Sequence, residues 1–188
     1  MDKTVLVLGG TGAMGRYAVP ELLRLGFFVD VVALDEPNFT HENMTSTIAN
    51  AMDDDWLEKA ITETRYDVIL DFMSYNLPQF EKRAPMFLAN TDQYMFLSSC
   101  RVYANEEIPV RETSPRLIDV SKNEEYLKLG QREYSLFKAA EEDLLINSGK
   151  KNWTIILPAT TYSTGRAQLV TLEAGTFVSR AFQGKPVV

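Results

Sequence analysis

Short continuous apolar runs alternate along this chain with longer amphipathic stretches. Such runs are typical of parallel strands buried on both faces, and the stretches between them are typical of helices. The predicted strands are Thr4–Leu8, Phe28–Leu34, a short segment within Thr45–Met52, Tyr66–Phe72, Gln93–Ser98 and Trp153–Leu157. The predicted helices are Met14–Leu25, Trp56–Thr64, Pro78–Ala89 and Arg132–Asn147. This alternation predicts the α/β class, with a doubly wound parallel sheet of about six strands.

A polar, proline-containing segment, 103–131, separates the fifth predicted strand from the last predicted helix. We expect an irregular excursion over the surface, and long loops of this kind in compact domains are usually functional. Three aspartates, Asp53, Asp54 and Asp55, precede the second helix. They could cap the helix or bind a metal ion, and we favour capping because acidic residues stabilise helix N-termini. No metal site is therefore predicted.

The composition narrows the class of protein. With 188 residues, 45% of them hydrophobic, the chain can bury one good core. Its net charge of -7 argues against a nucleic-acid-binding surface, which needs clustered lysine and arginine. One cysteine, Cys100, excludes an internal disulfide and suits a reducing compartment. No apolar run is long enough for a membrane helix or a signal peptide, so we expect a soluble, cytoplasmic protein without a membrane partner.

The first predicted strand ends in a turn that is rich in glycine. Its predicted cofactor-binding residues are Gly9, Gly10, Thr11, Gly12, Ala13, Met14 and Gly15. Glycines at this spacing allow a tight turn, close approach of a pyrophosphate to the backbone, and tight packing of a helix on a strand. The helix that follows offers its unpaired N–H groups to the phosphates. Because the motif lies between a strand and a helix, it predicts a Rossmann-like dinucleotide-binding site rather than an ordinary glycine-rich turn.

The choice between NAD and NADP depends on the end of the second strand. An acidic side chain there would hold the adenosine ribose, whereas a basic one would bind a 2′-phosphate. Asp35 is the natural candidate, although the usual position, counted from Gly26, falls nearer Ala33. The stretch from Val29 to Glu58 contains no lysine or arginine, which favours NAD. Arg16 could still reach a 2′-phosphate, so NADP is not excluded.

Three residues further along the chain could move a proton. Tyr134 and Lys138 are four positions apart on the last predicted helix, so they share a face. A neighbouring ammonium favours the phenolate form of a tyrosine, and Lys138 could also bind the nicotinamide ribose. Ser99 follows the fifth strand, and Phe72, an expected cofactor contact, ends the fourth, both at the sheet edge where doubly wound folds bind ligands. Singly, these residues could be packing or capping residues; together with the glycine turn they favour catalysis.

At this point the chain resembles the extended short-chain dehydrogenase/reductase superfamily, in its NAD-dependent epimerase/dehydratase branch. The resemblance rests on the glycine turn and on the segments Tyr66–Asp71, Phe96–Tyr103, Tyr134–Lys138 and Thr154–Pro158. It implies an NAD(P)-dependent epimerase or reductase that transfers a hydride to or from a nucleotide-linked sugar or a similar hydroxyl substrate. In that family Tyr134 would be the acid/base, Lys138 its helper, and Ser99 the third catalytic residue.

Three departures from the family pattern qualify this implication. The glycine usual after Tyr103 is Ala104, and the arginine common before Pro158 is Leu157. Family 4,6-dehydratases carry an acidic pair directly after the catalytic hydroxyl, where this chain has Cys100-Arg101. The resemblance therefore implies epimerase or reductase chemistry more than dehydration.

The same resemblance divides the chain into two parts. Residues 1–165 would form the NAD(P)-binding Rossmann domain, and 166–188 would begin a substrate-binding lobe that is largely absent. From Gly184 onward the chain is expected to enter a strand. Because both hydride and proton transfer need a fixed substrate, we expect the 188 residues to bind a dinucleotide but to be inactive alone.

Other functions and an oligomeric state remain open. A non-catalytic, dinucleotide-sensing regulator is the main alternative, although such relatives tend to lose the tyrosine that is present here. An RNA-binding relative is disfavoured by the acidic balance. The last predicted helix carries more apolar residues than one packed face needs, namely Leu136, Phe137, Ala140, Leu144 and Leu145. Since helices of this kind pair between subunits in the family, a homodimer is expected.

Overall fold

The computed structural model describes residues 3–163, 168–169 and 172–186. Six parallel strands form one sheet, in the order β3-β2-β1-β4-β5-β6. They are β1 Thr4–Leu8, β2 Phe28–Ala33, β3 Met44–Ile48, β4 Tyr66–Asp71, β5 Thr91–Leu97 and β6 Trp153–Ile156. A short antiparallel pair follows, β7 Gln168–Leu169 and β8 Leu172–Glu173. The predicted doubly wound α/β sheet of about six strands is thus confirmed.

Four long helices accompany the sheet, and shorter ones lie in the loops. The long helices are α1 Gly15–Arg24, α2 Asp54–Glu63, α3 Leu77–Asn90 and α6 Tyr134–Ile146, and α7 Ala174–Phe182 follows the antiparallel pair. The short helices are α4 Leu117–Val120 and α5 Glu124–Leu127, together with 3₁₀ turns at Cys100–Val102 and Gly130–Arg132. The prediction that the last long helix starts at Arg132 is wrong by two residues, because the side chain of Glu133 accepts the Ser135 N–H and caps the helix there.

The centre of the sheet is buried on both faces, as the apolar runs of its strands predict, whereas the edge strand β3 is mostly exposed. Alternate side chains of β1 point to opposite faces, so Val5 and Val7 pack with Val19 and Leu23 of α1, whereas Leu6 and Leu8 join a second core cluster. This second cluster fills the space under α2, α3 and α6 and is rich in aromatic rings. Its fully buried aromatic side chains are Phe80, Phe87, Tyr94 and Phe96. The two clusters hold the strands rigidly enough for their ends to carry a site.

The acidic triplet before α2 caps that helix. The Asp53 carboxylate accepts the backbone N–H groups of Asp55 and Trp56, each at 3.1 Å. Asp54 instead pairs with the buried Arg83, whose guanidinium also donates to the Ala51 and Met52 carbonyls. No cluster of three potential metal ligands occurs within the described ranges, 3–163, 168–169 and 172–186. Nor do these ranges contain a helix long and apolar enough to cross a membrane.

The segment 103–131 is more ordered than its polar sequence predicts. Besides α4 and α5, it forms an antiparallel bridge between Tyr103 and Arg116. The Arg116 guanidinium then donates to Glu142 at 3.3 Å and to Asp143 at 2.8 Å, both on α6. A half-buried arginine that pairs with two helix carboxylates fixes the loop to the body of the protein. These ion pairs hold the segment 103–131 beside the carboxyl end of β5, where Ser99 lies.

Candidate active site

The site begins where the chain reverses its direction of winding. β1 pairs with β2 on one side and with β4 on the other, so the connections that leave β1 and β4 diverge to opposite faces of the sheet. Doubly wound sheets bind ligands in the crevice outside the carboxyl ends of such strands. Gly9 follows β1 in this crevice with φ of +78°, a conformation that glycine adopts without strain.

Three glycines of the turn have different physical tasks. A Cβ atom at Gly10 would lie 2.6 Å from a Val31 methyl group, and one at Gly15 would lie 2.5 Å from the Gly9 carbonyl oxygen. Those two positions serve the packing of α1 against the sheet. A Cβ at Gly12 would approach one atom within 4 Å, the Gly9 carbonyl oxygen, at 3.1 Å. Gly12 itself is exposed. Gly12 is therefore the glycine that leaves room for a ligand.

Free backbone donors lie beside this space. In the part of the chain that the structure describes, the N–H groups of Ala13 and Met14 donate to no other protein atom. They precede α1, whose N-terminus adds a positive partial charge. The site thus has the donors and the space that a pyrophosphate group requires.

Asp35 lies at the adenosine end of the crevice. It stands two residues beyond β2, and its carboxylate accepts a hydrogen bond from the Thr11 hydroxyl at 2.7 Å. A cavity of about 180 Å³ opens beside it, lined by Gly9, Gly12, Ala33, Asn50, Ala51 and Met73 among others. Arg16 shares a second, smaller hollow of about 90 Å³ with the same carboxylate. Both candidates of the sequence analysis therefore line hollows near the end of β2.

Ser99 and Tyr134, which are distant in sequence, line one cavity of about 370 Å³. Ser99 follows β5 and is almost buried, while Tyr134, the first residue of α6, is 38% exposed. The same cavity is lined by Met14 from the glycine turn and by Thr160 and Thr161, which follow β6. It therefore lies directly beyond the pyrophosphate end of the crevice.

Lys138 is not among the residues that line this cavity. Its side chain is buried, and its ammonium donates to the Leu97 carbonyl at 3.1 Å and to Glu141 at 2.8 Å. The ammonium also lies 4.7 Å from the centre of the Phe96 ring. Lys138 shares the helix with Tyr134 as predicted, but its charge lies beneath the site in this structure, held by an ion pair that the sequence analysis does not predict.

Two buried carboxyl groups flank Lys138, and the sequence analysis misses both. Asp71, at the end of β4, accepts hydrogen bonds from the Tyr75 hydroxyl at 3.1 Å and the Tyr94 hydroxyl at 2.7 Å, and burial raises its pKa. Burial likewise raises the pKa of Glu141 to about 7, against the opposing effect of Lys138. One oxygen of Glu141 is buried with no partner among the described residues. A charged residue three positions after Lys138, on a face that is otherwise apolar, is the signal that could have revealed it.

Ser98, the neighbour of Ser99, is held in place by hydrogen bonds. The Ser98 hydroxyl donates to Glu142, which also accepts from Arg116 of the long loop. Burial raises the pKa of Glu142, and the Ser98 hydrogen bond and the Arg116 guanidinium oppose that rise. The loop, α6 and the end of β5 are thus linked through one carboxylate next to Ser99.

The remaining predicted contact, Phe72, lies below the glycine turn. It is partly buried and packs with the cluster under α1, and a side chain at Gly9 would meet its Cβ at 3.5 Å. Its backbone N–H donates to the Leu8 carbonyl at 3.1 Å. Phe72 therefore supports the floor of the crevice at the junction of β1 and β4.

Comparison with known proteins agrees with this geometry. The model of the NAD dependent epimerase/dehydratase family matches residues 5–188. No curated protein sequence matches the chain. Among solved structures, the Bordetella bronchiseptica enzyme WbmH in complex with NAD+ is similar with a TM-score of 0.71 and 20% identity, over 98% of this chain and 64% of that one.

Two further structures belong with it. The WbmG enzyme of the same organism, in complex with NAD, has a TM-score of 0.69 and 15% identity over 100% of this chain and 62% of its own. The Thermus thermophilus UDP-glucose 4-epimerase complex with NAD has a TM-score of 0.65 and 21% identity, over 98% and 64%. At these identities the likeness shows the fold. The chain spans less than two thirds of the length of each of these three structures.

Proposed function

The chain belongs to the NAD-dependent epimerase/dehydratase family, and from this premise we propose that it binds NAD and exchanges a hydride with a hydroxyl-bearing carbon of a nucleotide-linked sugar. Residues 1–165 are the cofactor domain of this proposal, and 166–188 begin the lobe that holds the substrate. The observation that carries it is the single cavity shared by Ser99, Tyr134 and Met14 of the glycine turn. Two hydroxyl groups that can address one substrate oxygen thus lie next to the cofactor cradle.

The residues of the crevice fit the cofactor. Gly12 leaves space for a pyrophosphate, and the N–H groups of Ala13 and Met14 are free to donate to it. In this proposal Asp35, which lines the adjacent cavity, accepts hydrogen bonds from the adenosine ribose, and its charge disfavours a 2′-phosphate, so we propose NAD over NADP. When bound, the nicotinamide supplies a reversible hydride acceptor.

The hydroxyl groups handle the proton. In the oxidising direction, Tyr134 in its phenolate form takes the proton of the substrate hydroxyl as the hydride leaves the same carbon, and it returns the proton in the reverse direction. Ser99 donates a hydrogen bond to the same oxygen, which aligns it. Lys138 acts from beneath: its buried ammonium lies on the same helix one turn from Tyr134 and contributes positive charge below the site.

One experiment tests the proposal in two stages. Calorimetry is expected to show that the protein binds NAD+, and that it binds NAD+ more tightly than NADP+. The protein is then mixed with NAD+ and a panel of nucleotide sugars; chromatography of the products reports epimerisation, in which the hydride is returned, and absorbance at 340 nm reports net hydride transfer. Absence of NAD+ binding contradicts the whole proposal, whereas NAD+ binding with no hydride transfer to any panel member contradicts its substrate class and favours a dinucleotide sensor.

A further inference from the structure

Arg101 connects the two hydroxyl groups assigned to catalysis. Its backbone N–H donates to the Ser99 hydroxyl oxygen at 3.3 Å, within the 3₁₀ turn that follows β5. Its guanidinium carbon lies 5.4 Å from the centre of the Tyr134 ring. One residue is thus anchored at Ser99 and extends its charged end over Tyr134. Any group bound by this guanidinium would lie next to the oxygen that the two hydroxyls address.

The charge of Arg101 is distinctive in this cavity. Among the described residues that line the cavity, it is the one charged side chain, and it is 62% exposed. The protein as a whole carries a net charge of -7, so a positive group at this point is not part of a general basic surface. A lone exposed cation in a concave site is a candidate for recognising a ligand anion.

The guanidinium is also poorly satisfied by the protein. Its one hydrogen bond among the described residues is to Glu133, at 3.4 Å. The same oxygen of Glu133 already accepts the Ser135 N–H at 3.3 Å and the Ser135 hydroxyl at 2.9 Å. A guanidinium has five N–H donors, so most of its hydrogen-bonding capacity remains for a ligand. An exposed, long ion pair of this kind also contributes little to stability and can be exchanged.

We propose that Arg101 binds an anionic group of the substrate, so that the substrate class is a nucleotide-linked sugar whose negative charge lies beside the reacting hydroxyl. This rests on the proposed function, since it concerns the same cavity. Arginine matches the two oxygens of a carboxylate or phosphate with parallel hydrogen bonds. The anion has two possible sources, a carboxylate on the reacting sugar and the diphosphate that links sugar to nucleoside.

The test is calorimetry on the full-length gene product saturated with NAD+, with UDP-glucuronate, UDP-glucose, glucuronate and glucose as probes. Because Arg101→Gln loses a charge-assisted hydrogen bond, its affinity for the anionic probes is expected to fall about tenfold or more. Arg101→Lys keeps the positive charge but not the two parallel N–H donors of the guanidinium, so it should retain part of the affinity. The control Arg111→Gln changes another exposed arginine with a loose acidic partner, outside this cavity, and should bind like the wild type.

The probes distinguish the sources of the anion. If Arg101→Gln loses affinity only for UDP-glucuronate and glucuronate, Arg101 binds the sugar carboxylate. If the variant loses affinity equally for both UDP-sugars, and its affinities for glucuronate and glucose are unchanged, Arg101 binds the diphosphate. Equal affinities of Arg101→Gln and wild type for every probe, with NAD+ bound, would overturn the inference and leave the proposed function intact. Failure of the wild type to bind NAD+ contradicts the proposed function itself. Thermal unfolding of each variant checks that the fold is retained.

Discussion

At the scale of single residues, three glycines of similar appearance in the sequence have unequal roles. Gly10 and Gly15 are required by packing, since a Cβ at either would come within 2.6 Å of protein atoms. Gly12 is less constrained by packing, since a Cβ there would approach one atom within 4 Å, the Gly9 carbonyl oxygen at 3.1 Å, and we assign this glycine to the ligand. A substitution at Gly12 therefore separates loss of binding from loss of folding.

Gly12→Val is expected to remain folded and to lose NAD+ affinity by about a hundredfold or more, because the side chain fills the space where the pyrophosphate approaches the backbone. Calorimetry measures the affinity and thermal unfolding the fold. Gly15→Val is the matched control and should unfold or fail to express, since its side chain would overlap the Gly9 and Gly10 carbonyls. Unchanged NAD+ affinity in Gly12→Val would show that the cofactor lies elsewhere.

Tyr134→Phe is expected to lower hydride transfer about 10²–10⁴-fold, the typical effect of losing one positioned acid/base. The ring remains, so its contact with Phe137 and the fold should survive. The rate is measured at 340 nm on the full-length gene product. Tyr103→Phe is the control, because that hydroxyl has only a long contact, 3.5 Å, with the Glu112 carbonyl. Near-normal turnover in Tyr134→Phe would remove this residue from the mechanism.

At the scale of elements, much of the molecule could be predicted from sequence. Apolar runs located the central strands of the main sheet within a few residues, because burial on both faces leaves a simple pattern; the mostly exposed edge strand β3 has no such run. The spacing of Tyr134 and Lys138 correctly placed both on one helix. It could not place the Lys138 ammonium, because that depends on Glu141 and on the Leu97 carbonyl, which the tertiary fold brings to it.

The long loop shows the same limit. Its polar sequence contains no period that predicts α4 or α5, and these one-turn helices depend on local caps such as Asn123, which accepts the Tyr126 N–H at 3.1 Å. The pairing of Arg116 with α6 joins residues distant in sequence, for which one sequence alone has no signal. Asp71 is a similar case, since only the assembled core brings Tyr75 and Tyr94 to its carboxylate.

The buried pair on α6 makes the stability of the fold depend on pH. The folded pKa of Glu141, about 7, lies above its ordinary value of 4.5, so the favourable contribution is complete below about pH 4.5 and is lost as the pH rises through 7. The free energy of unfolding should therefore fall by about 2 kcal/mol between pH 5 and 8 through this group. Glu141→Gln should reduce that slope, as measured by urea unfolding at several pH values. An identical slope in the variant would show that Glu141 does not titrate in this range.

At the scale of the whole molecule, the residues that we assign to the cofactor and those that we assign to the substrate lie in neighbouring cavities. The residues proposed to hold the pyrophosphate and the adenosine ribose lie between Gly9 and Asp35, while the cavity at Ser99 and Tyr134 is also lined by Pro158, Ala159, Thr160 and Thr161. We therefore expect residues 1–188 to bind NAD+ but to give negligible turnover on any nucleotide sugar. Calorimetry on this chain tests the binding of NAD+, and absorbance at 340 nm tests turnover by net hydride transfer. Robust epimerisation by residues 1–188, detected by chromatography of the nucleotide-sugar products, would contradict this expectation.

Subunit association is a separate proposal at this scale. α3 and α6 pack side by side, and a groove of about 210 Å³ between them is lined by the apolar Ala84, Pro85, Leu88 and Leu144 and by the polar or charged Glu81, Ser148 and Lys150. We propose that this face pairs with a second copy to form a homodimer. Sedimentation velocity at micromolar concentration should then give twice the monomer mass. A monomer under these conditions would contradict the proposal.

The position of β4 beside β1 also has a consequence for biosynthesis. The N–H of Thr4 donates to the Asp67 carboxylate, 63 positions later, and Phe72 and Met73 lie against Gly9. A ribosome therefore exposes the complete glycine motif well before it has added the strand that supports it. Until β4 emerges and docks, the nascent motif lacks its floor, and the cost of closing so long a loop opposes early structure. We therefore expect cofactor capture to follow the translation of β4, so that occupancy by the dinucleotide depends on correct assembly of the growing chain.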